Sequence, residues 1–285
     1  RVAVKKIRHR SGHDSGHARE LLDEEARRLV GLQHVHIVRV FGFRPAPDTA
    51  VVMELVGGGS LTGWVAVKHA GGGWLPGEAA AYVRDCVAIL RGVCCGMAYI
   101  HSQGWLHCDL KPDNILLNKL NDKLVAKVTD MGLAVRCAEG RASVRGGTAG
   151  YMAPEVMESW GAAVGREVDV WSFGVVVSNV LSGERGHRVW GEIPEEVRVL
   201  SGSMYKAGRK TWLLERVRRG GLPAGASGGV LSACEALGVG LEGLMGRCLS
   251  VDGGARPSFE ALMGELDAME PSEAAVAAMA TRSPT

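Results

Sequence analysis

The chain has 285 residues, which is enough for one large domain or for two lobes around a cleft. Its 46% hydrophobic and 22% charged residues are ordinary for a soluble globular protein. A formal charge of +2 gives no reason to expect nucleic acid or an anionic membrane as a partner, and no apolar run is long enough to span a bilayer.

The first part of the chain is predicted to be rich in strands. VAVKKI (2–7) alternates and contains β-branched residues, as is typical of a strand, and HIVRVFGF (36–43) and TAVVMELV (49–56) predict two more. Between the first two, residues 18–32 have helical periodicity. We therefore predict a small β-rich lobe over residues 1–56.

After the glycine run at 57–59 the pattern becomes helical. Residues 77–102 place apolar side chains at alternating steps of four and three, which predicts one long helix. Short strands are predicted at 115–118 and 124–128. Residues 171–181 are apolar nearly all round and predict a helix at the centre of a domain. We assign residues 57–270 to a mainly helical lobe and expect a disordered tail over 271–285.

One acid in the predicted helix 18–32 faces its apolar side. At about 100° per residue, Glu25 lies within roughly 60° of Leu21 and Leu29. A carboxylate that faces a core needs a partner, and Lys5 on the opening strand is the nearest candidate. By itself the pattern leaves a structural and a functional ion pair equally open.

A second polar group lies in WLHCDLKPDNILL (105–117). Asp109, Lys111 and Asn114 precede one predicted strand, and Asp130 ends the next. Phosphoryl transfer uses such residues, because oxygen ligands hold Mg²⁺, a lysine neutralises the phosphate and a carboxylate positions the attacking hydroxyl. Each residue alone is more typical of a turn or cap, but their joint spacing favours the catalytic hypothesis.

From residue 1 to about residue 268 these motifs, in this order, resemble the eukaryotic protein kinase family. The matching stretches are VAVK (2–5), MELVGGGSL (53–61), HCDLKPDN (107–114), DMG (130–132), GTAGYMAPE (147–155), DVWSFG (169–174) and ARPSF (255–259). The resemblance implies an α+β, two-lobed fold with a small β-rich lobe, a large mainly helical lobe and ATP in the cleft between them.

The resemblance also implies a role for each matching residue. Asp109 would orient the substrate hydroxyl and Lys111 would steady the γ-phosphate, while Lys5, held by Glu25, would bind the α- and β-phosphates. The residues implied to contact ATP are Ala3, Lys5, Met53, Glu54, Val56 and Leu116. The implied metal ligands, for Mg²⁺ with Mn²⁺ as an alternative, are Asn114 and Asp130.

The resemblance implies that residues 131–154 form the activation segment, which helps to build the platform that binds a peptide substrate. In it, Ser143 and Thr148 are candidate phosphorylation sites or plain polar loop residues, and Thr148 would also hydrogen-bond around Asp109 and Lys111. After it, Glu155 would pair with Arg256. Lysine at 111, together with GTAGYMAPE, is similar to the Ser/Thr-directed branch, and ARPSFEAL (255–262) resembles the tyrosine-kinase-like and plant receptor-like groups.

Two departures from the family pattern carry consequences. The Gly-rich loop that covers the phosphates would lie before residue 1, so we expect a truncated chain that binds ATP poorly and catalyses weakly. Cys108 stands where an arginine commonly pairs with a phosphorylated segment, and a thiol cannot make that charged contact. We therefore predict, in an intact domain, activity that does not depend on a phosphate gripped at this position.

Three functional hypotheses stay open: a Ser/Thr protein kinase acting on protein substrates, a pseudokinase scaffold that binds nucleotide, and a small-molecule phosphotransferase. The intact catalytic positions favour the first over the second. The Glu155–Arg256 pair disfavours the third. Seven cysteines without a CxxC pair predict reduced thiols and a cytoplasmic location, alone or as the cytoplasmic part of a larger receptor-like protein.

Overall fold

The computed structural model describes residues 1–6, 30–44, 50–121, 123–159 and 161–281. Of the helix predicted over 18–32, residues 18–29 lie outside the described residues, and Val30 is helical. The predicted partner of Lys5, Glu25, therefore also lies outside them.

A three-stranded antiparallel sheet forms the first part of the described chain. The strands β1 (Val2–Lys6) and β2 (Val40–Arg44) both pair with β3 (Ala50–Glu54), so β3 lies in the middle. The register sets Ala3 opposite Met53 and Lys5 opposite Val51. Because alternate residues of a strand share a face, Ala3 and Lys5 lie on the same side of the sheet as Met53.

The rest of the described chain is mostly helical. Its helices are α1 (Leu61–His69), α2 (Pro76–Ser102), α3 (Pro154–Glu158), α4 (Glu167–Ser182), α5 (Glu195–Arg198), α6 (Gly202–Arg218), α7 (Gly228–Leu237), α8 (Leu241–Cys248), α9 (Phe259–Ala268) and α10 (Glu273–Ala280). The predicted helix at 77–102 is confirmed as α2. This part, together with the preceding sheet, has the two-lobed α+β architecture expected from the sequence.

Three short antiparallel pairs of strands lie among these helices. The pairs are β4 (Trp105–Leu106) with β7 (Val135–Arg136), β5 (Ile115–Leu120) with β6 (Lys123–Val128), and β8 (Ala142–Ser143) with β9 (Ala163–Val164). The strands predicted at 115–118 and 124–128 are confirmed as β5 and β6, and β5–β6 is a hairpin. Asn114 directly precedes β5 and Asp130 follows β6. Because Ile115 pairs with Val128, both polar residues lie at the open end of this hairpin.

Helix α4 lies at the centre of the helical part, as its apolar sequence predicts. Every residue from Val168 to Leu181 is buried, and Gly183, with φ of 76°, ends the helix in the left-handed conformation that glycine adopts most easily. The buried set includes a carboxylate, Asp169, which is 0% exposed. An acid at such a position needs strong hydrogen-bond partners.

The expectation of a disordered tail over 271–285 is wrong for residues 273–280, which form α10. Ser272 caps this helix by accepting a hydrogen bond from the amide of Ala275. Val276 and Met279 are three residues apart, so they share one face and pack with Ala80 of α2. The alanine-rich composition reflects strong helix propensity with a small apolar face, and not disorder.

No single helix among the described residues is long and apolar enough to cross a membrane. Helices α7 and α8 meet the length and composition criteria only as a pair, and they are bent by 105° relative to each other.

Candidate active site

A cavity of about 310 Å³ lies between the three-stranded sheet and the β5–β6 hairpin. Its lining residues include Ala3, Lys5, Val40, Met53, Asp113, Asn114, Thr129 and Asp130. The sheet contributes apolar side chains and one lysine, and the segments beside the hairpin contribute polar and acidic ones. The cavity therefore combines a mostly apolar wall with a polar floor.

Lys5 and Asp130 approach each other across this cavity. The Nζ of Lys5 lies 3.0 Å from Oδ1 of Asp130, and each side chain is 42% exposed. Burial, the largest single effect, raises the pKa of Asp130, but Lys5 and the hydrogen bond from the Gly132 amide outweigh it and lower that pKa below its usual value. Asp130 is thus held as a carboxylate facing the cavity.

Asp109, Lys111 and Thr148 form a closed hydrogen-bonded group next to the cavity. The Nζ of Lys111 donates to Oδ2 of Asp109 over 2.6 Å and to the hydroxyl of Thr148 over 2.7 Å. The hydroxyl of Thr148 in turn donates to Oδ1 of Asp109 over 2.6 Å. This is the contact that the family resemblance implies for Thr148. The carboxylate is held at both oxygens, which fixes its orientation.

Asn114 connects this group to the cavity. Its Nδ2 donates to the backbone carbonyl of Asp109 over 2.9 Å and to Oδ2 of the same residue over 3.1 Å. These bonds use the amide nitrogen and leave Oδ1 as the atom available to a cation. Asn114 is buried and lies in a 3₁₀ turn, Pro112–Asn114, so its side chain has little freedom.

Asp169 of α4 anchors the loop of residues 107–114, which contains Asp109, and the sequence did not predict this role. Its carboxylate accepts the backbone amides of His107 over 2.8 Å and of Cys108 over 2.9 Å, and it also accepts from Nε2 of His101 over 2.8 Å. These bonds hold Cys108 at φ of 64°, a conformation that non-glycine residues rarely adopt. An acid inside an otherwise apolar helix was the available signal, the same argument that singled out Glu25.

The anchor predicts a pH-dependent contribution to stability. Burial, the largest single effect, raises the pKa of Asp169, but the hydrogen bond and charge of His101, with the contribution of His107, lower it below the usual value. A lowered pKa stabilises the fold above the unfolded-state pKa of about 3.9, and this stability is lost as pH falls through the folded-state value. We expect Asp169→Asn to lower the free energy of unfolding by about 2–3 kcal/mol at pH 7.

Urea unfolding of both proteins at a series of pH values checks this. The difference between wild type and Asp169→Asn should shrink below about pH 4, where the carboxylate of the unfolded wild type becomes protonated, and should be lost as pH falls through the lower folded-state pKa. Asp267→Asn, which removes an exposed carboxylate paired with Arg91, is the matched control and should show a much smaller difference at pH 7. A difference for Asp169→Asn that stays constant down to pH 3 contradicts the proposed anchor.

The side chain of Cys108 is buried and surrounded by apolar residues. It faces a small cavity that is also lined by Val144, Val156 and Val168. Burial, followed by the charge of Asp169, raises the pKa of the Cys108 thiol well above its usual value. The thiol is therefore neutral near pH 7 and offers no positive charge to the 131–154 segment, whose Val144 lines the same small cavity.

Among the residues implied to contact ATP, Glu54 and Val56 lie at the end of β3 and just after it. Glu54 ends β3, and its amide donates to the carbonyl of Arg39 over 2.8 Å, so a contact to adenine would have to use its carbonyl. Its carboxylate pairs with Nζ of the buried Lys127 over 3.0 Å. Val56 follows in the connecting segment, and Leu116 lies on β5, where it bridges to Ser60 of that segment.

The 131–154 segment is followed by a bidentate ion pair. Arg256, whose side chain is 0% exposed, donates from Nη1 and Nη2 to the two carboxylate oxygens of Glu155 over 2.7 and 3.0 Å. The predicted pair is therefore present. The guanidinium also donates to the carbonyls of Ser250 and Glu167 and lies 5.0 Å from the ring of Trp171.

The two candidate phosphorylation sites have different surroundings. Ser143 is exposed on β8, and its hydroxyl donates to the carbonyl of Gly161 over 2.8 Å. The hydroxyl of Thr148 is already engaged by Asp109 and Lys111. A phosphate on Thr148 would stand against the Asp109 carboxylate, whereas one on Ser143 would be solvated.

The chain matches the protein kinase domain family over residues 1–265. Similar curated proteins include the mitogen-activated protein kinase kinase kinase mkh1 of Cytospora mali, which is 33% identical over 61% of this chain and 9% of its own length. A G-type lectin S-receptor-like serine/threonine-protein kinase of Arabidopsis thaliana is 31% identical over 66% of this chain and 22% of its own. The calcium/calmodulin-dependent protein kinase type 1 of Caenorhabditis elegans is 33% identical over 58% and 44%.

The chain thus spans between 9% and 44% of the lengths of these relatives. The family match, in contrast, covers nearly all of it and includes every motif that surrounds the cavity. The chain belongs to the protein kinase domain family.

Proposed function

We propose that this chain is the catalytic part of a protein serine/threonine kinase, which transfers the γ-phosphate of ATP to hydroxyl groups of protein substrates. One observation carries the proposal: the closed group of Asp109, Lys111 and Thr148 lies directly beside a cavity lined by Lys5, Asn114 and Asp130. In this arrangement the Asp109 carboxylate, which would position the accepting hydroxyl, lies next to a cavity that would hold the nucleotide.

The nucleotide would occupy the cavity with its base against the sheet. Ala3 and Met53 supply apolar contacts on the wall, and the Nζ of Lys5 supplies the positive charge that phosphates require. Glu54 and Val56 would bind the edge of adenine through backbone groups, and Leu116 would cover the base from the side of β5. Glu25, outside the described residues, is the proposed second partner of Lys5.

The donor set fits a magnesium ion. Asp130 offers a carboxylate whose pKa is lowered, and Asn114 offers an amide oxygen because its nitrogen is used by Asp109. No group of three His, Cys, Asp or Glu side chains gathers within the described part of the chain. This suits Mg²⁺, which binds through one or two protein ligands and takes the others from phosphate and water; Mn²⁺ is the alternative. When bound, the ion would neutralise charge on the phosphates.

The chain's own residues would manage the accepting hydroxyl. The Asp109 carboxylate, held at both oxygens, can accept the proton of a serine or threonine hydroxyl that takes the place of the Thr148 contact or shares it. Lys111, 2.6 Å from that carboxylate, can move to the γ-phosphate as its charge develops. Both steps need only side-chain rotation, since the backbone of the loop is fixed by Asp169.

Two observations support serine and threonine as the target. The relatives described above include proteins named serine/threonine or MAP-kinase-cascade kinases. Lys111 in the loop, two residues after Asp109, has the identity expected of that branch. The scaffold hypothesis is less well supported, because the catalytic side chains are both present and assembled.

Regulation and location follow as further parts of the proposal. Since Cys108 is neutral, buried and lines an apolar cavity together with Val144, activity in an intact domain would not require a phosphate bound at this position. A cytoplasmic location, alone or attached to a receptor-like protein, is proposed from the cysteine content.

Nucleotide binding tests the proposal directly. ATP should raise the unfolding temperature of the chain, more so with Mg²⁺, because a ligand that binds only the folded state stabilises it. Lys5→Met should weaken ATP binding by about tenfold or more, and Asp130→Asn should abolish the part that depends on Mg²⁺.

Lys6→Met is the matched control, since Lys6 is exposed and lies on the opposite face of β1 from Lys5. It should bind ATP as the wild type does. Transfer of radiolabelled γ-phosphate to a generic protein, followed by acid hydrolysis, would identify the labelled amino acid. Equal ATP affinity for Lys5→Met and Lys6→Met, or label found only on tyrosine, would contradict the proposal.

A further inference from the structure

A second cavity, of about 760 Å³, lies in the helical part between the turn Gly186–Trp190 and helices α5 and α6. Three arginines line it: Arg188 from the turn, Arg198 from α5 and Arg216 from α6. We call it the arginine cavity. Its three cations come from three different segments, so the fold, and not local sequence, brings them together.

Acidic side chains offset the guanidinium groups of the arginine cavity only in part. Among the described residues, none of the three forms a hydrogen bond or ion pair, in contrast to Arg218, which pairs with Glu158 over 3.0 Å. Two acids, Glu184 and Glu192, also line the cavity, so its lining carries a net charge of +1. Residues 185–219 contain nine Lys and Arg but four Asp and Glu, whereas the whole chain is only +2.

This excess of positive charge can attract anions because the three arginines surround a concave surface. Exposed single arginines are common and need no function, but like charges around one depression focus the field and attract anions. Unpaired guanidinium groups also keep all their donors available for planar bidentate contacts with carboxylates.

The cavity is connected to the place where the accepting hydroxyl would lie. Trp190, at the end of the turn, donates from Nε1 to the carbonyl of Gly150 over 2.8 Å and stacks on Trp171 of α4. Gly150 is two residues after Thr148, whose hydroxyl contacts Asp109. On the other side, Val189 accepts the amide of Ala224, which closes the wall. Glu184, which lines the arginine cavity, also lines a neighbouring small cavity together with Tyr151 and Asp113. The arginine cavity therefore adjoins, through Glu184, the segment that carries Thr148.

We propose that the arginine cavity binds an acidic segment of the protein substrate, with aspartate or glutamate side chains a few residues from the hydroxyl that is phosphorylated. The inference rests on the proposed kinase function only for the placement of that hydroxyl; the binding of an acidic peptide does not require catalysis. It assigns a substrate class, acidic peptides, to a surface outside the nucleotide cavity.

Fluorescence anisotropy with labelled peptides tests this on the full chain. The probe is a peptide of fixed length in which glutamates flank an alanine placed at the acceptor position, and a second peptide carries glutamine at each glutamate. The triple variant Arg188→Gln, Arg198→Gln, Arg216→Gln should bind the glutamate peptide at least about tenfold more weakly than the wild type. Its affinity should also depend less on NaCl concentration.

The charge-matched control is Arg1→Gln, Lys6→Gln, Lys123→Gln, which removes three exposed cations outside the arginine cavity. It should bind within about twofold of the wild type. Equal binding of the glutamate peptide by wild type and the arginine triple variant would overturn the inference. The inference would also be overturned if the wild type bound the glutamine peptide as tightly as the glutamate peptide, or bound a short RNA at the same site more tightly than the glutamate peptide.

Failure of the proposed kinase function would look different. In that case neither the wild type nor any variant would bind ATP or transfer phosphate. Fluorescence anisotropy would still report whether the acidic peptide binds. Circular dichroism melts of the triple variants should match the wild type, because the substituted side chains are exposed.

Discussion

The Asp109→Asn variant is expected to lose phosphate transfer by about 10²- to 10⁴-fold while its affinity for ATP changes little. The carboxylate accepts hydrogen bonds from Lys111, Asn114 and Thr148, all within 3.1 Å. Asparagine keeps the shape but removes the charge that would accept the substrate proton. Asparagine also offers only one acceptor oxygen to these three donors, so Lys111 loses its anchor.

Single-turnover transfer of the γ-phosphate to a protein substrate, measured beside ATP binding, separates the two effects. Glu235→Gln, an exposed acid on α7, is the control and should behave as the wild type. A Thr148→Val variant should be affected less than Asp109→Asn, since it removes one orienting bond and leaves the carboxylate. Full activity in Asp109→Asn, with ATP bound normally, would remove Asp109 from the mechanism.

Replacing Arg256 by alanine is expected to lower the free energy of unfolding by about 3–5 kcal/mol. The guanidinium is fully buried and makes a bidentate pair with Glu155 together with bonds to two backbone carbonyls. Without it, the Glu155 carboxylate, whose side chain is 30% exposed, and both carbonyls lose their donors. Thermal unfolding should show a fall in Tm on the order of 10 °C.

Helix α3, which carries Glu155, also provides the control for this prediction. Glu158 of α3, one turn after Glu155, pairs with Arg218, but there the side chains are 62% and 40% exposed. Arg218→Ala should therefore cost less than about 1 kcal/mol. Arg256→Lys should recover only part of the lost stability, because an ammonium cannot reproduce the bidentate contact. Equal losses for Arg218→Ala and Arg256→Ala would show that burial does not determine the strength of these pairs.

Much of the site could be predicted because short-range spacing carries it. Asp109, Lys111 and Asn114 lie within six residues, and β5 and β6 follow from apolar runs, so their proximity to Asp130 could be inferred from the sequence. The long helix α2 and the buried helix α4 were equally visible, because an amphipathic face and an all-apolar run are strong patterns.

What could not be predicted depends on contacts between distant segments. Asp169 was recognisable as an acid in an apolar helix, but its partners lie 61 to 68 residues earlier and follow no periodicity. The arginine cavity likewise depends on three segments meeting in space. The structure of residues 273–280 differs from the expected disorder for another reason: composition alone does not separate a short docked helix from disorder when its apolar face has only two large side chains.

The docking of α10 determines where the described end of the chain lies. Ala280 packs so closely on α2 that a Cβ at Gly77 would come within 2.7 Å of it. His101, near the other end of α2, contacts the Asp169 carboxylate that anchors the loop of residues 107–114. At 1.5 Å per residue, Gly77 and His101 are about 36 Å apart along the helix axis. A fluorophore or surface tether attached at Thr281 would therefore lie far from the cavity lined by Lys5 and Asp130 and leave its entrance unobstructed.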